Sequence, residues 1–478
     1  MVNKLSSANT GGWNSTILGE VAEFINGDRG KNYPNLLDRV ENGVPFINTG
    51  HIEPTGWLSD ERMDYITLEK FNKLGSGKVR NGDIVYCLRG STIGKTARNK
   101  YSEGAIASSL IIIRAKKNIS QDYLYYFLTS PFGQSLAKTN DNGSAQPNLS
   151  GRVLSQYPIK IPSYNQQCAI ADYLNSLDNK IQLNQQTNQT LEQMAQALFK
   201  SWFVDFDPVI DNALAAGNPI PDELRARAEL RQRVIAERTT NPKLKPLPED
   251  IQQLFPSEFE KSELGWTPKG WKLDSFSNLA TLKTESVHPN RQPDRVFTQF
   301  SLPAYDKGKT PTQDLGIEIK SGKYKVSESV VLVSKLNPST PRVWLPKVID
   351  AEKSICSTEF MPFEPIIKEQ RTFIFSLMCS ENIQSEIASR VTGTTGSHQR
   401  VSPKNIAMLS VILPSESCIN LYCETMTGSF SNIGLKPHSF DTSQLEMVVQ
   451  LFPCIRLLLL LQKLYFQDKS VFSKHIQI

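Results

Sequence analysis

The segment Gly90-Ser91-Thr92-Ile93-Gly94-Lys95-Thr96 follows the apolar run Ile84-Val85-Tyr86-Cys87-Leu88 and has the ingredients of a phosphate-binding loop. Such a loop needs four residues between its glycines so that the backbone amides wrap the phosphates, and only three separate Gly90 from Gly94. A tight loop with Arg89, Ser91, Thr92 and Lys95 at its tip is the better reading, and these side chains suit a DNA backbone or base edge. Other chemistry has less support. The histidines His51, His288, His398, His438 and His475 show neither metal-ligand spacing nor an HExxH pattern. There is no GxSxG elbow and no glycine-rich turn opening a Rossmann helix. Cys87, Cys168, Cys356, Cys379, Cys418, Cys423 and Cys454 are odd in number and never spaced as CxxC, which argues against a disulfide framework or zinc site and fits a reducing cytoplasm. Carboxylates are plentiful, but nothing singles out a catalytic pair.

What remains is a set of loops rich in side chains that read nucleic acid. In the first half these are Asn26 to Tyr33, with Arg29, Lys31, Asn32 and Tyr33; the Arg89 to Lys95 loop; and Asn140 to Asn148, with Ser144, Gln146 and Asn148. In the second half they are Lys335 to Arg342, with Lys335, Asn337, Thr340 and Arg342, and Thr394 to Arg400, with Ser397, His398, Gln399 and Arg400. Arginine on guanine and Asn or Gln on adenine are the commonest base contacts, each worth roughly 1–3 kcal/mol of discrimination. Taken singly, each residue reads better as an ordinary polar group of a loop or cap. Recurrence at matching places is what points to nucleic acid.

That recurrence extends to the elements that must hold the loops. Trp13 precedes Leu18-Gly19-Glu20-Val21-Ala22, and Gly270-Trp271 precedes Leu273 to Ala280. The run Gly82 to Leu88 resembles Ser329 to Leu336, and Ala107-Ser108-Ser109 parallels Cys356-Ser357-Thr358. Gly143-Ser144-Ala145-Gln146 with Tyr157 to Ser163 parallels Gly396-Ser397-His398-Gln399 with Leu409 to Ser415. The order is kept at an offset of about 250 residues, which is right for a duplicated domain and too long for a solenoid repeat.

Between the copies, Ile170, Leu174, Leu177, Ile181, Asn184, Asn188, Leu191, Ala195, Leu198 and Trp202 alternate four and three apart, as in a coiled-coil seam. Ser163 to Asp207 contains no Gly or Pro, so the spacing predicts a helix of roughly 40 residues and about 60 Å. The Asn pair would set register or partner number. The expected organisation is a first domain over 1–163, a spacer helix over 164–207, a Pro-rich linker with one helix over 208–262, a second domain over 263–415 and a divergent region over 416–478. Arg225, Arg227, Arg231, Arg233 and Arg238 in the linker read better as a solvated face than as a phosphate site, because Glu223, Glu229 and Glu237 accompany them.

Composition is consistent with this plan. The chain has 478 residues, 39% hydrophobic and 21% charged, which predicts two or three globular domains and excludes disorder throughout. Its 53 basic and 48 acidic residues give a net charge of +5, too small for a polycation yet compatible with local basic surfaces. Met1 to Asn14 is polar and lacks the apolar core of a signal peptide. The apolar stretch Val448 to Phe466 is interrupted by Pro453, Arg456 and Lys463, which argues against a membrane span.

The combination resembles the specificity subunit of a type I restriction-modification system. The resemblance rests on the apolar-Pro ends Ile159-Lys160-Ile161-Pro162 and Val411-Ile412-Leu413-Pro414, on Gln166 to Leu174 and Leu177 to Ile181, on Leu191 to Pro208, and on Glu263 to Trp271. It covers about residues 13 to 430. It implies an α/β (α+β) fold with two similar mixed α/β target-recognition domains separated by long antiparallel coiled-coil spacer helices. Each domain would read half of a bipartite, asymmetric site in double-stranded DNA, and the helices would set the gap. The resemblance implies no catalytic site and no metal here. Two methyltransferase subunits and the motor-nuclease subunits would carry S-adenosylmethionine, ATP and magnesium. A self-contained DNA methyltransferase or nuclease and a coiled-coil scaffold with no DNA role are the alternatives. The C-terminal region departs from the pattern: Gly428, Gly434 and Pro437 are expected to interrupt a second spacer helix, leaving the first with a shortened partner.

Overall fold

The computed structural model describes residues 13–53, 55–61, 63–139, 148–241, 244–391 and 399–431, with side chains to 426. The chain divides into two compact units, Met1–Gln185 and Gln186–Ile478.

In the first unit, β1 (Asn14–Ile17) and β11 (Pro158–Ile161) pair antiparallel and bring the two ends of the domain together. Between them lie β2 (Ala22–Asn26), β3 (Arg39–Val40), β4 (Val44–Ile47), β5 (Asp64–Ile66), β6 (Lys78–Val79), β7 (Ile84–Cys87), β8 (Thr96–Arg98), β9 (Gly104–Ile106) and β10 (Leu110–Ala115). They form a four-stranded sheet ordered β2-β10-β7-β8 and a five-stranded sheet ordered β3-β5-β4-β9-β6. The β4·β9 pair is parallel, and β4·β5 and β6·β9 are antiparallel. β7 and most of β10 are buried on both faces, which explains why Ile84-Val85-Tyr86-Cys87 and Leu110 to Ile113 read as unbroken apolar runs without alternation.

The second unit opens with a hairpin of β12 (Phe259–Ser262) and β13 (Gly265–Pro268). It continues through β14 (Lys272–Ser275), β15 (Ala280–Leu282), β16 (Ser286–Val287), β17 (Val296–Phe300), β18 (Thr312–Leu315), β19 (Lys323–Lys325), β20 (Val331–Ser334), β21 (Val343–Trp344), β22 (Ser354–Ser357), β23 (Phe360–Pro365) and β24 (Ser410–Leu413). The topology largely repeats that of the first unit. β14 closes on β24, the four-stranded sheet runs β15-β23-β20-β21, and the five-stranded sheet runs β16-β19-β22-β17-β18 with its parallel pair at β17·β22. The duplication expected from the sequence is therefore present in the closing pair, in the four-stranded sheet and in four strands of the five-stranded sheet, whose first strand changes edge: β3 pairs β5, whereas β16 pairs β19 at the opposite end, and there is one register change. The amide of Leu88 bonds the carbonyl of Ser109, and that of Lys335 bonds the carbonyl of Glu359. Ser109 thus corresponds to Glu359, and the parallel drawn with Cys356-Ser357-Thr358 is displaced by one residue.

The predicted long helix runs Tyr164–Phe203, 40 residues, and the unit boundary falls within it. Its seam is not continuous. In the first unit Ile170 and Leu174 are half-buried, Ile170 packing on the core that includes Leu124, Leu154 and Ile159, while Leu177, Ile181 and Asn184 are exposed. Asn188 is half-buried. In the second unit Leu191, Ala195, Leu198 and Trp202 are buried in a globular core with Phe255, Trp271, Phe373 and Tyr422. The rings of Trp202 and Phe255 lie 5.1 Å apart and those of Phe203 and Tyr422 5.4 Å. Leu191 and Leu198 are therefore core residues of an aromatic cluster, because the 3.6-residue stripe that defines a seam also serves a domain core.

The 208–262 segment contains two substantial helices, where one was expected. Asp207–Ala216 and Arg225–Thr240 are joined by ion pairs, and the first buries Val209, Ile210 and Ala213. Arg227 forks onto Asp207 at 2.7 and 2.6 Å, and Arg231 onto Asp211 at 2.7 and 2.5 Å. Arg225 and Arg233 are exposed, as a solvated face requires, whereas Arg227, Arg231 and Arg238 are half-buried in pairs with Asp207 and Asp211. Arginines four apart on one helix meet aspartates four apart on the other, a pairing that composition alone does not show. Towards the C-terminus a helix spans Glu416–Ser431, so Gly428 does not interrupt it. Gly434, Pro437 and the rest of the expected divergent tail lie outside the described residues.

Candidate nucleic-acid interface

In the first unit β10 lies between β2 and β7, with Ile111 opposite Asn26 and Leu110 opposite Cys87. This register brings the C-terminal ends of β2 and β7 and the N-terminal end of β10 to one end of the sheet. The loops leaving that end are tied together. Leu88 N donates to Ser109 O at 2.9 Å, Arg29 Nη2 to Ser108 O at 3.3 Å, and Leu149 N to Leu88 O at 2.9 Å, with Arg89 and Asn148 in an isolated antiparallel bridge. Gly27 permits the approach, since a Cβ there would fall 2.7 Å from the Ala107 carbonyl. Asp28 fixes the loop by accepting from the amides of Gly30 and Gly75, each at 2.8 Å, and these amides hold its carboxyl below the usual carboxylate range.

The Arg89–Lys95 loop is a closed turn, not an anion nest. Cys87 N donates to Lys95 O at 2.8 Å and Gly94 N to Cys87 O at 3.1 Å, and Gly90 and Gly94 take φ of 76° and 84°. Arg89, Ser91 and Lys95 are exposed on it, and Thr92 is half-buried. Arg29, Lys31 and Asn148 are exposed on the neighbouring loops. Two predicted residues serve the loop itself: Asn32 Nδ2 donates to Lys73 O at 2.8 Å, and the Tyr33 ring packs edge-on against Phe46. Ser144 and Gln146 lie outside the described residues.

The second unit builds the same rim from β20 and β23, where Ser334 lies opposite Phe360. Lys335 N donates to Glu359 O at 3.0 Å, Val401 N to Lys335 O at 3.0 Å, and Asn337 N to Gln399 O at 2.9 Å, with Leu336 and Arg400 bridged. The predicted Lys335–Arg342 and Gln399–Arg400 segments are thus brought together. Asn337 holds a left-handed φ of 49°, and Thr340 N donates to Asn337 O, so the loop folds on itself with Thr340 exposed. Arg342 forks onto Asp306 at 2.7 and 3.1 Å, and Arg400 onto Glu359 at 3.2 and 3.1 Å. Ser397 and His398 lie outside the described residues.

Sequence reasoning missed Asp28, Asp306 and Glu359. Each is an acidic residue that orders a polar or basic loop, and the signal for Glu359 was its place beside the recurring serine-rich turn. Among the described residues there is no cluster of His, Cys, Asp and Glu able to hold a metal, and no helix long and apolar enough to cross a membrane. The arrangement presents donors, acceptors and cations at the same end of the same sheet in both units, which suits polar recognition of an extended anion.

Comparison with known proteins agrees. Residues 10–193 match the model of the type I restriction modification DNA specificity domain. The chain is 29% identical over 290 residues to the type I restriction enzyme HindI specificity subunit of Haemophilus influenzae, an alignment covering 56% of this chain and 60% of that protein. It is 30% identical over 117 residues to the MjaIX specificity subunit of Methanocaldococcus jannaschii, covering 24% of this chain and 27% of that one. The chain thus spans about three fifths of the length of the first of these relatives. Among solved structures, the type I restriction-modification S subunit from M. genitalium aligns over 95% of this chain and 99% of its own, with 12% identity and a TM-score of 0.43. Residues 10–193, which include most of the first unit, thus match a type I restriction modification DNA specificity domain, and the chain is similar to type I restriction enzyme specificity subunits.

Proposed function

We propose that this chain is the non-catalytic DNA-recognition subunit of a type I restriction-modification complex in the cytoplasm. Each unit reads one half of a bipartite, asymmetric site in double-stranded DNA. The observation that carries the reading is the repeated rim: one four-stranded sheet topology, used twice, ends the same strands in polar loops bridged at Arg89–Asn148 and at Leu336–Arg400. The exposed residues Tyr173, Leu177, Ile181 and Leu183 of the long helix give methyltransferase subunits an apolar surface to dock on. S-adenosylmethionine, ATP and magnesium belong to the methyltransferase and motor-nuclease partners, and the 40-residue helix acts as a ruler for the gap. One heptad adds roughly 10 Å, about three base pairs.

The test is binding of the full chain, with and without methyltransferase subunits, to DNA carrying the two half-sites. Tight binding only in the assembled complex, abolished by a three-base-pair change in the gap, supports the reading; unchanged affinity overturns the ruler. Methylation or cleavage by the purified chain alone would favour a self-contained enzyme.

A further inference from the structure

The two rims are equivalent residue by residue at one point where their chemistry differs. In the first unit, Asn148 is bridged to the residue after Leu88, the next residue Leu149 is 2% exposed, and Ser150 caps a short helix by accepting from Val153 N. In the second unit, Arg400 is bridged to the residue after Lys335, Val401 is 1% exposed, and Ser402 caps a short helix by accepting from Asn405 N. The backbone of each exposed residue is therefore fixed between a bridge to the neighbouring strand end and a buried apolar anchor, at the same point of the same sheet. A carboxamide offers one donor and one acceptor, which complements N7 and N6 of adenine; a guanidinium offers donors only, which complements O6 and N7 of guanine.

We propose that Asn148 and Arg400 occupy one base-reading position in the two units, Asn148 selecting adenine in its half-site and Arg400 selecting guanine in the other. Glu359 supports the second choice. It stands where the first unit has Ser109, and it accepts from Nε and Nη2 of Arg400, the side-on edge of the guanidinium. That orients the plane of the group, whose Nη1–Nη2 end is the fork that matches guanine. Glu359 is a positioning residue. Serine at the corresponding place is neutral and short, as suits a neighbour of a carboxamide. This assignment rests on the DNA-recognition reading above and deepens it.

The experiment expresses the full chain with its methyltransferase subunits and sequences the methylated sites. Absence of any bipartite motif for the unaltered chain would overturn the recognition reading itself. Given such a motif, Asn148→Ala should relax one adenine of one half-site by about tenfold to hundredfold, and Arg400→Ala one guanine of the other by a similar factor. Asn148→Arg should exchange that adenine for guanine, and Arg400→Asn the converse, each leaving the opposite half unchanged. Glu359→Gln should weaken preference at the same guanine and nowhere else. Alanine variants that keep the original motif, or that weaken binding uniformly across sequences as loss of a phosphate contact would, overturn the assignment.

Discussion

Arg98 donates a hydrogen bond through Nη1 to the side-chain carbonyl of Asn175, joining the last residue of β8 to the first half of the long helix. Its guanidinium lies 4.3 Å from the ring centroid of Tyr125 and 4.6 Å from that of Trp57, and 3.6 and 3.7 Å from Asp122 and Asp178. Tyr126 completes the cluster by donating to Asp178 at 2.7 Å. β8 begins directly after the Lys95 end of the exposed loop, so the loop and the helix are held by one short strand. We predict that Arg98→Ala destabilises the first unit by about 2–4 kcal/mol, since it strips a buried cation from its carboxylates and rings. Urea unfolding measures the loss, and hydrogen exchange should quicken at residues 170–180. An unchanged midpoint would show that the rings and carboxylates hold the helix without the cation.

The helical pair in the 208–262 segment makes a second, graded prediction. Asp211 accepts from both Arg231 and Arg238 and is itself buried, so Asp211→Ala leaves two arginines without their shared carboxylate and should cost about 3–5 kcal/mol. Arg225 pairs with Asp222 on the open surface, and Arg225→Ala should stay within about 0.5 kcal/mol. Thermal unfolding of the two variants side by side reads the contrast; equal effects would contradict it.

Arg89 and Lys95 project from the closed turn of the first rim. If both lie on phosphates, the double variant Arg89→Ala/Lys95→Ala should weaken binding evenly across DNA sequences and lower the slope of log affinity against log salt by about 2. Titrations at several salt concentrations give the slope. A sequence-selective loss with an unchanged slope would move these residues from phosphate to base edges.

Leu177 and Ile181 are 42% and 55% exposed on the long helix. Leu177→Asp and Ile181→Asp should therefore alter folding stability by no more than about 0.5 kcal/mol. Light scattering after gel filtration should nevertheless show loss of the complex with methyltransferase subunits. Intact assembly would place the docking surface elsewhere.

Burial pushes the thiols of Cys356 and Cys379 up to about 12. Because the folded value is raised, the stabilisation is complete below the unfolded thiol value of about 8.5 and is lost as pH rises towards the folded value. Stability of the second unit should therefore fall above about pH 8.5. Buried Cys356 should resist iodoacetamide at pH 8 until the unit unfolds, while half-buried Cys168 reacts sooner. Mass spectrometry of alkylated peptides reads the order, and early labelling of Cys356 would contradict the packing.

Much of this was legible in the chain. The apolar runs at Ile84 and Val331 became central strands because a strand buried on both faces needs an unbroken apolar pattern. The absence of Gly and Pro after Ser163 gave the long helix its extent. The order of similar segments determined a duplicated architecture, since equal patterns of burial fold to the same four-stranded sheet, while the edge taken by the short strands β3 and β16 was left to the tertiary structure. The sequence did not decide where the helix stripe would be spent. Leu191 and Leu177 sit on the same period, yet one is buried among aromatic rings and the other exposed, because the period records which side of a helix is apolar and not what lies against it. Nor could it pair Arg231 with Asp211, Arg98 with Asn175, or Arg400 with Glu359. Such ion pairs and hydrogen bonds act over a few ångströms, and only the tertiary fold brings residues 20, 77 or 41 positions apart within that range.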